Sequence, residues 1–227
     1  MLVNNIFNSI DGEVNFYGQG MLTTFIRLQG CNLNCKWPCD TPQAQSKLRT
    51  SENFELTPME IIKQIKILGR KKVTITGGEP LVQRKELLRL VEMIPKFFGW
   101  DFQITIETNG SKSLKGISDV ASWVVDYKLP SSEMEDSMNY DAFRYLNNRD
   151  VVKFVIQTKE DFNKATQTIE EIWPISEDVM DFPSFAFSPV YKKITPARLL
   201  SWLNESPIPK LYKTALNIQL HKIIGLP

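Results

Sequence analysis

The sequence predicts an α/β fold built around a parallel sheet. Two observations carry this reading: strand-like runs alternate with stretches of helical period, and two of those stretches open on a Thr-Pro start signal. Runs rich in β-branched and aromatic residues lie at 22–28, 73–76, 103–107, 123–128, 151–156 and 184–188, with a weaker one at 216–221. Between them, apolar residues recur at helical spacing over 58–68, 84–98, 137–148, 161–173 and 196–204. Thr57 before Pro58 and Thr195 before Pro196 read as N-caps followed by proline at the first helical position. Such alternation implies βαβ units with right-handed crossovers. Six or seven units are too few for a closed eight-stranded barrel, so we expect a partial, open TIM-type barrel of about six parallel strands with outer helices. The polar stretches 41–53 and 130–136 read as long loops, and Trp100, Trp123, Trp173 and Trp202 as packing residues. No repeat, low-complexity tract or linker divides the chain, so 1–227 reads as a single domain.

Composition narrows the function classes. Of 227 residues, 42% are hydrophobic and 23% charged, an ordinary globular balance. Twenty-seven Lys and Arg against 26 Asp and Glu leave +1, which gives no sign of a nucleic-acid footprint. No uncharged apolar run approaches the roughly 18 residues needed to span a bilayer, and the start lacks a basic segment followed by a long apolar one. A soluble, cytoplasmic protein that binds neither membrane nor nucleic acid is expected.

The three cysteines, Cys31, Cys35 and Cys39, fall within one short segment after the first strand-like run. An odd number this small does not make a secreted disulfide framework. Zinc normally takes four protein ligands, or three and a water, and the single histidine, His221, is remote in sequence. A 4Fe–4S cluster with three thiolate ligands and one open iron suits the set better, since full ligation takes four cysteines. Zinc stays open at this point. Other polar motifs fall at strand ends, where α/β sheets place their chemistry: Gly77-Gly78-Glu79-Pro80, Glu107-Thr108-Asn109-Gly110, Asp126-Tyr127-Lys128 and Ser188-Pro189-Val190. Paired glycines at a strand end allow backbone to approach a ligand closely.

The three cysteines followed by Gly77-Gly78-Glu79-Pro80 resemble the radical S-adenosylmethionine (SAM) superfamily. Within it, the chain is similar to the 7-carboxy-7-deazaguanine synthases. The closer likeness rests on Phe7 through Glu13, Phe25 through Leu33, Cys39-Asp40-Thr41, Glu107 through Gly110 and Gln219-Leu220-His221-Lys222. The resemblance implies a radical SAM core whose loop of about 31–53 carries the cluster and whose segment 216–227 closes the pocket. It implies reductive cleavage of SAM to a 5′-deoxyadenosyl radical. Hydrogen abstraction from 6-carboxy-5,6,7,8-tetrahydropterin and ring contraction with loss of ammonia come next, in queuosine and 7-deazapurine biosynthesis. A reducing protein such as flavodoxin or ferredoxin, a homodimer and Mg²⁺ are implied with it. The alternatives are another radical SAM enzyme, such as a glycyl-radical activase, or a zinc-binding module.

Residue by residue, the resemblance places Cys31, Cys35 and Cys39 on the cluster and Thr41 on Mg²⁺. Trp37, Pro38, Asp40, Gly78, Asp126, Tyr127, Lys128, Ser188, Pro189, Val190 and Tyr191 are placed at SAM. Ile10, Asp11, Gly12, Arg27, Thr76 and Pro227 are placed at the pterin, with Arg27 as partner of its carboxylate. Three departures stand out. The cysteines are spaced C-x3-C-x3-C where the superfamily usually has C-x3-C-x2-C, Pro38 being the extra residue. Asp11 stands where Gln is frequent, and a carboxylate accepts hydrogen bonds but does not donate them. Asp126-Tyr127-Lys128 stands where Ser-Pro-Lys is common.

Overall fold

The computed structural model describes residues 1–37, 39–48, 53–116, 119–175 and 181–226. The alternation read from the sequence becomes a nine-stranded sheet of β1 (Leu2–Ile10), β2 (Leu22–Leu28), β3 (Phe54–Glu55), β4 (Lys72–Gly77), β5 (Gln103–Thr108), β6 (Ser122–Tyr127), β7 (Val151–Ile156), β8 (Ser184–Pro189) and β9 (Thr214–Leu216). Its order is β3-β1-β2-β4-β5-β6-β7-β8-β9. From β2 to β9 neighbouring strands are parallel, while β1 runs antiparallel to both β2 and β3. The helices are α1 (Pro58–Leu68), α2 (Arg84–Phe98), α3 (Tyr140–Phe143), α4 (Lys159–Ile172), α5 (Pro196–Glu205), α6 (Ile208–Leu211) and α7 (Leu220–Ile224). None of the described helices is long and apolar enough to cross a membrane.

The helix starts agree with the sequence signals. Thr57 Oγ1 accepts from the Glu60 amide, and the Glu60 carboxylate accepts from the Thr57 amide, a complete capping box. Thr195 caps α5 through the Arg198 amide. Four expectations need correction. The run at 216–221 is divided, because β9 stops at Leu216 and the chain re-enters a helix at Leu220. The stretch 137–148 holds only the short α3, started by the Asn139 side chain on the Ala142 amide. The stretch 130–136 is not plain loop, since Pro130–Ser132 and Glu135–Ser137 are 3-10 turns. Trp100 is 80% exposed and packs in no core, whereas Trp123 and Trp173 are buried.

Side chains alternate across the strands and sort the sheet into two unlike faces. On the convex side, Val73, Ile75, Ile104, Ile106, Val125, Val152, Phe154, Phe185 and Phe187 share one core with Ile61 and Ile65 of α1, Leu87, Leu90 and Ile94 of α2, Phe162 and Ile169 of α4, and Leu199 of α5. Each such side chain contributes about 1.5–3 kcal/mol on burial. The concave side takes the alternate positions: Arg27, Lys72, Thr74, Thr76, Thr105, Glu107, Asp126, Lys153 and Ser188. Parallel strands covered on both faces are normally apolar throughout. The polar concave face departs from that pattern and is the candidate face for the site.

An open sheet leaves two edges. Here the loop between β1 and β2 crosses to the segment after β9 and bridges them. The Val14 amide donates to Asn217 Oδ1 (2.9 Å), Gln19 Nε2 donates to the carbonyls of Gly12 (2.8 Å) and Ile218 (2.5 Å), and the Leu220 amide donates to the Gly12 carbonyl (2.9 Å). Val14 then packs with Val124, Val151 and Ala186 as a small apolar cluster on the concave side.

Candidate active site

The cysteine loop leaves the end of β2 and is clamped on two sides. The Gly30 amide donates to the Ala44 carbonyl (2.7 Å) and the Cys31 amide to the Gln45 carbonyl (2.9 Å). Gln29 Nε2 reaches the carbonyls of Gln43 (3.0 Å) and Ser46 (2.8 Å). From β4, the Gly78 amide donates to Leu28 (3.0 Å) and the Glu79 amide to Gly30 (2.7 Å). This explains the glycine pair differently from the sequence reading. A Cβ on Gly77 would fall on the Leu28 backbone, and one on Gly78 on the backbones of Gly30 and Ala44. The close approach they permit is within the protein itself: Gly77 against the end of β2, and Gly78 against the cysteine loop. Glu79 completes the clamp: Oε1 accepts from the Leu81 amide (2.9 Å) and the Thr108 hydroxyl (2.8 Å), and Oε2 from the Asn109 amide (2.7 Å). Burial pushes its carboxyl up, against the pull of these donors.

Cys31, Cys35 and Cys39 are free thiols, the first two half-buried and the third exposed. Asn109 Nδ2 lies 3.8 Å from Cys31 Sγ, and the Thr41 amide donates to Cys39 Sγ at 3.4 Å. Burial raises Cys35, opposed by the Lys128 ammonium, and the charges of Cys31 and Cys39 reach it as well. Among the described residues, no three His, Cys, Asp or Glu side chains converge on a point where one metal ion could sit. Three thiols around one loop, with N–H groups aimed at two of the sulfurs, fit the spread ligands of an iron–sulfur cluster.

Below this loop lies a chain of charges. Lys153 is paired with Glu13 and stands 3.0 Å from Asp126, which also holds Lys128 at 2.8 Å. Burial alone would lower Lys153, but Asp126, Glu13 and Glu107 hold it well above the ordinary lysine value. Asp126 is held low: burial works against ionisation, and Lys128 and Lys153 outweigh it. Glu107 accepts from Thr76 Oγ1 at 2.8 Å. Burial, with the negative charge of Glu13 added, pushes its carboxyl up to about 7. Arg27 lies between Glu107 and the cysteine loop, its guanidinium 5.7 Å from the Phe7 ring centroid. Burial lowers it, and the charges of Glu107, Cys39 and Asp40 only partly offset that. Among the described residues Arg27 makes no ion pair.

The remaining sequence candidates distribute unevenly. Asp40 holds Lys222 (2.8 Å) and Gln219 (3.1 Å), so the segment after β9 reaches back to the cysteine loop. Burial would raise Asp40, but these partners hold it below the usual carboxylate range. Ser188 is buried on the concave face and accepts from Asn217 Nδ2 (3.2 Å). Pro189 and Tyr191 line a mainly apolar cavity of about 270 Å³ beside Ile194, Ile218 and Lys222, with Val190 between them in sequence. Trp37 is half-buried, and Thr41 Oγ1 is 3.7 Å from Cys39 Sγ. The His221 ring lies where a Cβ on Gly12 would be, so a side chain at Gly12 would have to displace that ring. Ile10 ends β1 opposite Leu22.

Two candidates are corrected. The Asp11 carboxylate is 2% exposed and committed to Lys72 and Thr74, so it is not offered to a ligand in the lumen. The Tyr127 side chain points to the convex side, packs on Phe143 and Phe154, and shares a 2.9 Å hydrogen bond with Tyr140, because its strand position has the parity of Val125. Only its backbone remains on the site's edge. Pro38 and Pro227 lie outside the described residues. Sequence reasoning missed Lys153 as the shared partner of Asp126 and Glu13, and Glu107 as the acceptor of Thr76. The available signal was a lysine inside an apolar strand and the alternation Lys72-Thr74-Thr76, neither of which a fully apolar parallel strand would carry.

Comparison with known proteins agrees with this geometry. Residues 25–126 match the Radical SAM superfamily. A 7-carboxy-7-deazaguanine synthase of Clostridium acetobutylicum is 39% identical over 226 residues, covering 97% of this chain and 94% of that protein. Synthases of the same name are 32% identical in Leptospira interrogans, over 98% of this chain and 94% of that protein, and 32% identical in Methanospirillum hungatei, over 100% and 86%.

Proposed function

The chain belongs to the 7-carboxy-7-deazaguanine synthase family of the radical SAM superfamily, and we propose that it converts 6-carboxy-5,6,7,8-tetrahydropterin to 7-carboxy-7-deazaguanine with loss of ammonia. The reaction is that of a carbon–nitrogen lyase. Cys31, Cys35 and Cys39 hold the 4Fe–4S cluster. When bound there with SAM, the cluster supplies a 5′-deoxyadenosyl radical. The protein's own work is to bind, orient and exclude water.

The observation that carries this reading is Arg27: a half-buried guanidinium beside the cysteine loop, partly desolvated and with no ion pair among the described residues. A desolvated cation without an anion is costly, and a substrate carboxylate would compensate it through two parallel hydrogen bonds. Thr76 and Glu107 then face the pterin ring, with Gly12 and Glu13 below. On the SAM side, Asp40, Lys128 and the backbone at Gly78 and Tyr127 take the methionyl end. Ser188 and the cavity at Pro189, Val190 and Tyr191 take the adenosine, with Trp37 near the base. The Thr41 hydroxyl holds Mg²⁺, which keeps most of its shell in water and substrate oxygens. The 216–227 segment closes the pocket over a single domain. A flavodoxin or ferredoxin reduces the cluster, and the protein works in the cytoplasm as a homodimer.

The test is anaerobic reconstitution and then assay with SAM, a reductant and 6-carboxytetrahydropterin. We expect brown protein absorbing near about 400 nm, as iron–thiolate clusters do, and formation of 7-carboxy-7-deazaguanine. Cluster-loaded protein that cleaves SAM yet yields no deazaguanine would overturn the reading. Replacing any of the three cysteines by Ala should remove most of the iron and all turnover; a variant keeping full iron would remove that cysteine from the ligand set.

A further inference from the structure

On the floor of the lumen lies a second buried ion pair, separate from the Glu13–Lys153–Asp126 chain. Lys72 opens β4, and its ammonium is paired with Asp11, each side chain being 2% exposed. All three ammonium protons have partners: Asp11, Thr74 Oγ1 (3.1 Å) and Thr105 Oγ1 (3.0 Å). Thr74 donates its own proton to the other Asp11 oxygen (2.7 Å). Its hydroxyl hydrogen is thereby used, so in the 3.1 Å contact with Thr23 it is Thr23 that donates. The same ammonium stands 5.4 Å from the Tyr17 ring centroid. One cation therefore grips the β1–β2 loop at two points, Asp11 near its start and Tyr17 further along. The Asp11 backbone is committed too, its amide to Met21 (2.9 Å) and its carbonyl to Gly20 (2.8 Å).

Immediately after Asp11 the loop enters the lumen. Gly12 holds the segment after β9 through its carbonyl, and Glu13 pairs with Lys153 and accepts from Gln219 at 3.0 Å. The geometry points to Lys72 as a positioning residue: acting through Asp11, it sets the height and orientation of Gly12 and Glu13 at the closed end of the pterin pocket. This deepens the proposed function and rests on it. Asp11 accordingly shapes the pocket without touching its occupant. A misplacement of about 1 Å at a reacting centre can cost on the order of a hundredfold in rate, so a fixed loop root matters even though it lies outside the pocket.

The experiment uses D11N, K72M and the D11N/K72M double variant of the cluster-loaded protein. Each single change strands a buried charge and should lower the melting temperature, whereas the double variant removes both charges and should recover most of that loss. If Lys72 positions the loop, KM for the pterin rises about tenfold or more in all three, with KM for SAM within about twofold. In the double variant it stays raised although stability has returned. Hydrogen exchange at the amides of Asp11, Gly20 and Leu220 should be faster in K72M and in the double variant. A pterin KM that returns to wild type together with the melting temperature would reduce the pair to a purely structural role. So would single variants that alter melting alone. If the wild-type protein does not use the pterin at all, the functional reading fails on its own account. The exchange rates then decide the clamp: faster loop exchange supports it, and unchanged exchange overturns it.

Discussion

Arg27 and Glu107 face the same lumen from neighbouring regions of the sheet, and burial works against the charge of both, with different outcomes. Arg27 stays cationic with no paired anion among the described residues, while the Glu107 carboxyl, pushed up to about 7, is near half-protonated at neutral pH. For Arg27 the planar fork matters more than the charge. Arg27→Lys keeps a cation but loses the bidentate geometry. A charge-assisted hydrogen bond contributes about 1.5–3 kcal/mol, so the pterin KM should rise roughly ten- to a hundredfold, with SAM affinity unchanged. Equal substrate affinity in the variant would remove Arg27 from the carboxylate site. For Glu107 the folded value lies above the ordinary carboxyl value of 4.5. The fold therefore favours the protonated form. Its penalty is absent below about pH 4.5 and grows as pH rises through about 7. Glu107→Gln keeps an acceptor for Thr76 and removes the titration. The variant should match wild type in stability near pH 4.5 and exceed it by up to about 3 kcal/mol above pH 7. Urea melts of both proteins across that range read the difference, and a gap independent of pH would contradict the assignment.

At the scale of elements, the join between β2 and β4 positions the cysteine loop. Gly78→Ala drives a methyl group into the carbonyls of Gly30 and Ala44, so the two loops must part. Overpacking of this kind costs about 1–3 kcal/mol, and it acts on the backbone that carries Cys31. Stability and iron content should fall together, iron to below about half that of wild type. Gly69 provides the control. It caps α1 at φ 70°, and an added Cβ there meets nothing within 4 Å. Gly69→Ala should cost about 1–2 kcal/mol of backbone strain with iron unchanged. Iron analysis and thermal melts of the two variants side by side would show whether the packing role of Gly78 holds.

The same join shows which parts of the molecule were legible in its sequence. β2 and β7 have the bounds that their patterns suggest, and α1 and α2 likewise, because one face of each is continuously apolar and Thr57 marks the start of α1. β1 was not legible: its nine residues LVNNIFNSI include three Asn and a Ser, residues poor in strands, and pairing with β2 and β3 on either side makes it one. As candidates, the cysteines, Arg27 and Thr76 could be read from motifs. The partner of Asp11 could not, since Lys72 is 61 positions away and only the sheet brings them together. Nor could the purpose of the Gly77-Gly78 pair be read, because the backbone they approach, the end of β2 and the loop after it, is distant in sequence.

At the scale of the whole molecule, the question is how an incomplete barrel keeps its lumen closed. Asn217, fully buried, is the meeting point: Oδ1 accepts from the Val14 amide (2.9 Å) and Nδ2 donates to Ser188 Oγ (3.2 Å), joining the β1–β2 loop, β8 and the segment after β9. That segment then delivers Gln219 and Lys222 to Asp40 on the cysteine loop. Asn217→Ala leaves the Val14 amide without its acceptor, at a cost of about 1–3 kcal/mol. The lost bonds tie a terminal strap to the barrel, while the convex core is untouched. We therefore expect the loss to appear as local opening. Amides at 217–222 and at 11–20 should exchange faster, and protease should cut first in the strap, with α1 and α2 protected as in wild type. Because Asp40 loses its two partners when the strap lifts, KM for SAM should rise in the same variant. Uniformly faster exchange throughout the chain, with SAM affinity unchanged, would show instead that Asn217 supports the barrel as a whole and that the strap closes nothing on its own.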